Sequence, residues 1–113
     1  MSIDYFAIKV RDVSQLGALI EGGETDVPPI DVGEVYRRLT TQTMVQGPER
    51  STLRWEGEGS YVFVDITPGS VQVNHGTGGG DMQLDVIMEV LYALQQMGLY
   101  VWDPQQGSWY PGS

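Results

Sequence analysis

The sequence predicts an α+β fold: a two-layer sandwich with a mostly antiparallel sheet, helices packed on one face, and the element order β-α-α-β-β-β-α-β(β). Three observations predict it. Apolar residues alternate along segments near 3–10, 52–56, 61–67 and 71–75, the period-two signature of strands. Between and after these segments the apolar period lengthens to that of a helix. Short glycine and proline turns join the middle strands, which makes them neighbours in an antiparallel meander. A chain of 113 residues is expected to be one domain, 1–113, with one core.

Each element has its own local reason. Residues 3–10 alternate, with Phe6, Ile8 and Val10 on one face and Tyr5 and Ala7 on the other. Residues 13–21 place Val13, Leu16, Leu19 and Ile20 at helical spacing, and Gly22-Gly23 supplies a stop. Pro28-Pro29 lies in a connector. Asp31 and Glu34 have capping-box spacing, Ile30 and Val35 that of a hydrophobic staple, and Val32, Val35, Tyr36 and Leu39 form one helical stripe. The threonines of 40–43 are expected to fray that helix, and Gly47-Pro48 to punctuate the chain. In the meander, Leu53 and Trp55 share a face. So do Val62, Val64 and Ile66, opposite Tyr61, Phe63 and Asp65, and so do Val71, Val73 and His75. Asp81 is the expected N-cap of a helix over 81–97 that Gly98 ends. Its core stripe is read as Leu84, Ile87, Met88, Leu91 and Leu94. Residues 99–103 and 108–110 read as strands joined by an Asp103-Pro104 turn.

Charge bounds function more tightly than any motif. Arg54 is the last basic residue; beyond it stand Glu56, Glu58, Asp65, Asp81, Asp85, Glu89 and Asp103, while the six bases and the other eight acids precede them, for a net charge of −9. A field of one sign attracts basic partners and repels nucleic acid and anionic membrane, so neither of those is expected as a partner. The absence of cysteine rules out disulfides, thiolate zinc and a cysteine nucleophile. The start Met1-Ser2-Ile3-Asp4-Tyr5 lacks the basic and apolar runs of a secretion signal. The apolar stretch near 86–94 is interrupted by Glu89 and too short for a membrane span. A soluble cytoplasmic protein is the expectation.

The candidate sites are few. Gly76–Gly80, before the helix at Asp81, offers backbone amides to an anion. No Lys or Arg accompanies them, though, and Asp81 occupies the place a phosphate would take. A second function compatible with this loop is a small-molecule or peptide-binding module with the glycines as a flap over an aromatic-lined pocket. His75, the one histidine, would need an orienting acid to act as a base; Asp65 is the candidate, giving a small enzyme as a third reading. No spacing suggests a metal or a cofactor.

The leading reading is a non-enzymatic binding protein. Asp81, Asp85 and Glu89 recur every four residues along one helical face with no base among them. A solvated polar face is the commoner reason for such a row; a surface matched to a basic protein partner is the functional one. Glu56 and Glu58 would add to the field, and Trp102, Trp109 and Tyr110 would supply aromatic anchors. An exposed edge strand or aromatic surface would also allow a homodimer.

The segment Tyr100-Val101-Trp102-Asp103-Pro104-Gln105-Gln106-Gly107-Ser108-Trp109-Tyr110, on a small acidic α+β chain, resembles members of the bacterial polymorphic-toxin immunity proteins. The resemblance covers residues 99–110 and assigns no particular family. It implies a cytoplasmic inhibitor that binds a toxin domain stoichiometrically and blocks its basic active-site cleft.

Overall fold

Alternation becomes one antiparallel sheet. The computed structural model describes residues 5–10, 12, 14–16, 27–49, 51–57, 59–76, 80–103 and 106–110. Its strands are β1 (Tyr5–Ile8), β2 (Gln46–Glu49), β3 (Thr52–Gly57), β4 (Ser60–Ile66), β5 (Val71–His75), β6 (Tyr100–Asp103) and β7 (Ser108–Tyr110). They lie in the order β2-β3-β4-β5-β1-β6-β7. Two helices, α1 (Val32–Gln42) and α2 (Asp81–Gln96), complete the α+β architecture. Residues 14–16 are also helical, and the rest of the helix expected over 13–21 lies outside the described residues.

The front face of the sheet carries the main core. Ala7, Leu53, Val62, Val64, Ile66, Val71, Val73 and Val101 pack beneath Val35 and Leu39 of α1 and Val86, Val90 and Leu94 of α2. These are aliphatic side chains at alternate strand positions. Each valine, leucine or isoleucine removed from water stabilises the fold by about 1.5–3 kcal/mol. Both helices therefore share one face, as expected. The back face differs from the expectation, because β1, β6 and β7 are apolar on both sides. Phe6, Ile8, Tyr100, Trp102 and Trp109 gather there with Leu16 from the helical residues 14–16. The layer of α1 and α2 cannot cover both sides, so a second cluster forms behind the sheet.

An extra strand is the second correction. Gly47-Pro48 belongs to β2, which pairs with β3 and makes the meander four-stranded. β2 is an edge strand, the place where a proline without an amide is tolerated. The close approach needs the glycine: a Cβ on Gly47 would sit 2.2 Å from the Thr52 carbonyl oxygen.

The helix ends show how local chemistry sets the boundaries. Asp31 caps α1 and accepts from the Glu34 amide at 3.1 Å. The Glu34 carboxylate turns away from the cap and pairs with Arg37 and Arg38. The threonines do not fray the helix. Thr40 Oγ1 donates to the Tyr36 carbonyl, Thr41 Oγ1 to Arg37 and Thr43 Oγ1 to Leu39, so the helix runs to Gln42. α2 ends on Gly98 at φ 84°. Gly98 N–H donates to the Gln95 carbonyl and Leu99 N–H to Leu94, the paired bonds of a Schellman motif. At its other end the cap is Gly80, not Asp81, with no side-chain bond to it.

Candidate functional site

α2 is rotated relative to the expected stripe. Its buried face is Gln83, Val86, Ile87, Val90, Leu91, Ala93 and Leu94. Leu84 and Met88, expected in the core, are 57% and 56% exposed, and Tyr92 is 66% exposed. A glutamine lies on the inward face and bonds to the sheet. Gln83 Nε2 reaches Ser60 Oγ at 2.6 Å, the Gly76 carbonyl at 2.9 Å and the Tyr61 carbonyl at 3.1 Å. The first turn of α2 is thereby bound to the start of β4 and the residue after β5. Sequence periodicity missed Gln83, since a lone glutamine among leucines and valines reads as surface.

The rotation creates a two-row surface. Asp81, Asp85 and Glu89 are exposed on α2, as the sequence predicts. Among the described residues none of them is paired with a base, and the ion pairs present lie on α1 and β3. Beside this acidic row runs the apolar row Leu84, Met88 and Tyr92, also spaced by four. A solvated polar face has no use for three large exposed apolar side chains in a line. An interface does, because apolar contact supplies affinity and flanking charge supplies register.

The other expected site residues fall elsewhere. Glu56 is exposed on the back face of β3 and paired with Arg54 at 3.3 Å. Glu58 lies outside the described residues. Trp109 is 6% exposed, wedged edge-on against Phe6 at 5.8 Å and beside Trp102 at 4.9 Å. Its ring is committed to the back cluster and cannot act as an exposed anchor. Trp102 is half-buried in the same cluster. Both tryptophans thus lie across the sheet from the acidic row, and they do not form one surface with it. Tyr110 points the other way, packing against the front core, and it alone of the three aromatics shares the face of α2.

His75 and Asp65 do not meet. Asp65 pairs with Gln72 and His75 with Val62, which places the carboxylate on the back face and the imidazole on the front. Asp65 accepts a long bond from Thr52 Oγ1 at 3.4 Å. His75 Nδ1 stands 3.1 Å from the Gly76 carbonyl, and its ring lies 6.3 Å from that of Tyr5. The dyad of the third reading is therefore absent.

Among the described residues, two cavities border α2 on the front. One, of about 380 Å³, lies between His75, Tyr5, Gly80, Asp81, Leu84 and Ile87. The other, of about 340 Å³, lies between Tyr5, Met88, Leu91, Tyr92, Asp103 and Tyr110. Tyr5 is common to both, so they form two compartments of a trough along the helix. Residues 77–79 of the glycine loop lie outside the described residues, and Gly76 at its start is held by Gln83.

Among the described residues no group of three or more His, Asp or Glu is placed to hold a metal ion, and no helix is long and apolar enough to cross a membrane. No family model and no curated protein matches the chain.

Proposed function

We propose that the chain is a non-enzymatic binding protein that docks a basic polypeptide on the outer face of α2. One observation carries this reading: three exposed acids without basic partners among the described residues run beside three exposed apolar side chains on a single helix. A partner that fits has an apolar ridge flanked by Lys or Arg. Its approach would be steered by the −7 of the residues beyond Arg54. In its specific form the proposal is a bacterial immunity protein acting in the cytoplasm, where α2 would cover the basic active-site cleft of a toxin domain. The resemblance over residues 99–110, the small size and the charge support that form.

The test is retention of a partner. Tagged wild-type chain and the double variant D85K/E89K are used to recover binding proteins from the native host, and the domain encoded by the neighbouring reading frame is assayed directly. A basic protein bound by wild type should associate more slowly with the variant, by about tenfold or more at low salt, with the difference shrinking as salt rises. Equal association rates and affinities for the two chains would remove the acidic row from the interface and the proposal with it.

The trough favours a second reading, a peptide-binding module seated between α2 and Tyr5. Its compartment beside His75 and Gly80 is where the peptide would sit. A peptide bound there would protect His75 and Leu84 from solvent and leave Glu89 unaffected.

A further inference from the structure

We infer that the 340 Å³ cavity at the C-terminal half of α2 is an aromatic cage for an organic cation, namely one Arg or Lys side chain of the basic partner. Three tyrosines line it: Tyr5 from β1, Tyr92 from α2 and Tyr110 from β7. Asp103, from the end of β6, lines it too and is only 5% exposed. Of the described lining residues, Asp103 alone carries a charge. Met88 and Leu91 complete the wall with apolar surface.

These groups make a coherent chemical set. A cation within about 6 Å of a tyrosine ring is drawn to its negative π face, and several rings around one cavity multiply the attraction. A carboxylate at the same cavity adds the countercharge and favours guanidinium or ammonium over any neutral group. Apolar walls suit the aliphatic stem of Arg or Lys, which buries its methylenes while its head is held. The volume falls within the range usual for ligand pockets, about 300–1,000 Å³.

The carboxylate is also held in place. Tyr110 Oη donates to Asp103 Oδ2 at 3.3 Å, the Gln106 amide donates to Asp103 Oδ1 at 3.3 Å, and the Gly107 amide donates to the Asp103 carbonyl at 2.8 Å. One aromatic wall and the charged floor are thus fastened together by the turn between β6 and β7. The cage adjoins the apolar row at Met88 and Tyr92, so a basic side chain entering it comes from a polypeptide already lying along α2. In that respect the inference rests on the docking surface proposed above, but its chemistry can be tested without a partner.

The experiment titrates the full chain with N-acetyl-arginine methylamide and with its neutral citrulline counterpart, following the tyrosine ring resonances by NMR. The arginine compound should shift Tyr5, Tyr92 and Tyr110, and the citrulline compound should bind about tenfold or more weakly. Y92A, which truncates an exposed side chain, should weaken arginine binding by about three- to tenfold. The isosteric D103N should weaken it at least as much. Equal shifts with both compounds, or arginine binding unchanged in Y92A, would overturn the cage. D85K/E89K lies outside the cavity and should still bind the arginine compound. A chain that loses its partner but keeps this binding separates a failed cage from a failed docking surface.

Discussion

Replacing Gln83 by leucine tests whether one buried amide sets the rotation of α2, and so the composition of its outer surface. The substitution keeps size and removes a group that donates to three oxygens. The Tyr61 carbonyl keeps another donor, the Gly76 amide at 3.1 Å. Ser60 Oγ and the Gly76 carbonyl lose their bond to the amide, and Ser60 is buried. A buried acceptor stranded in this way costs about 1–3 kcal/mol. The half-buried Gly76 carbonyl still has His75 Nδ1 at 3.1 Å and costs less, about 1 kcal/mol, so the loss is about 2–4 kcal/mol, offset by about 1 kcal/mol from the added apolar burial. Q83L should therefore be about 1–3 kcal/mol less stable. In urea the midpoint should fall by about 0.5–2 M with the slope unchanged. Gln96 is exposed on the same helix, and Q96L should leave the midpoint within about 0.2 M of wild type. If Q83L lies within about 0.5 kcal/mol of wild type, the amide network is not what orients the helix.

Two further outcomes are expected. The pair G98A and G47A should separate conformational strain from collision. At Gly98 a Cβ meets nothing within 4 Å but the backbone sits at φ 84°, so the cost is about 1–2 kcal/mol by thermal or urea unfolding. At Gly47 the Cβ would collide with backbone at 2.2 Å, so amide exchange across β2 should accelerate well beyond the global loss in stability. D85K alone should raise stability by about 1 kcal/mol, because it turns repulsion from Asp81 and Glu89 into two i,i+4 attractions. A destabilised D85K would mean that the acidic row is structural.

Particular residues show where sequence sufficed. Gly98 was legible because a glycine after a long apolar period has one usual role, and the Schellman bonds fulfil it. The alternation of Val62, Val64 and Ile66 against Tyr61, Phe63 and Asp65 was equally direct, because strand geometry leaves a side chain two choices of face. The rotation of α2 was not legible. Its sequence is apolar around much of the circumference, so periodicity fits more than one inward face, and a tertiary bond from Gln83 decides among them. β2 was hidden for a related reason: Gly47-Pro48 reads as a break, and only pairing to β3 at a sheet edge makes it a strand. The acidic row was found by spacing alone. The apolar row beside it and the tyrosines of the cage were not, since Tyr5, Tyr92 and Tyr110 come from three distant elements.

The place of β1 in the sheet has a consequence for how the chain reaches its fold. The strands β2 to β5 pair with neighbours in sequence, so that half of the sheet closes through short loops. β1 is instead inserted between β5 and β6, and Phe6 pairs with Trp102 almost the whole chain away. During synthesis β1 has to wait for β5 and then for α2 and the β6–β7 hairpin before both its edges are satisfied. Until then Phe6, Ile8 and the unpaired edges of β1 are exposed to other chains. Refolding should accordingly show the meander protected from amide exchange ahead of β1, and a nascent chain stalled before Tyr100 should be prone to aggregate.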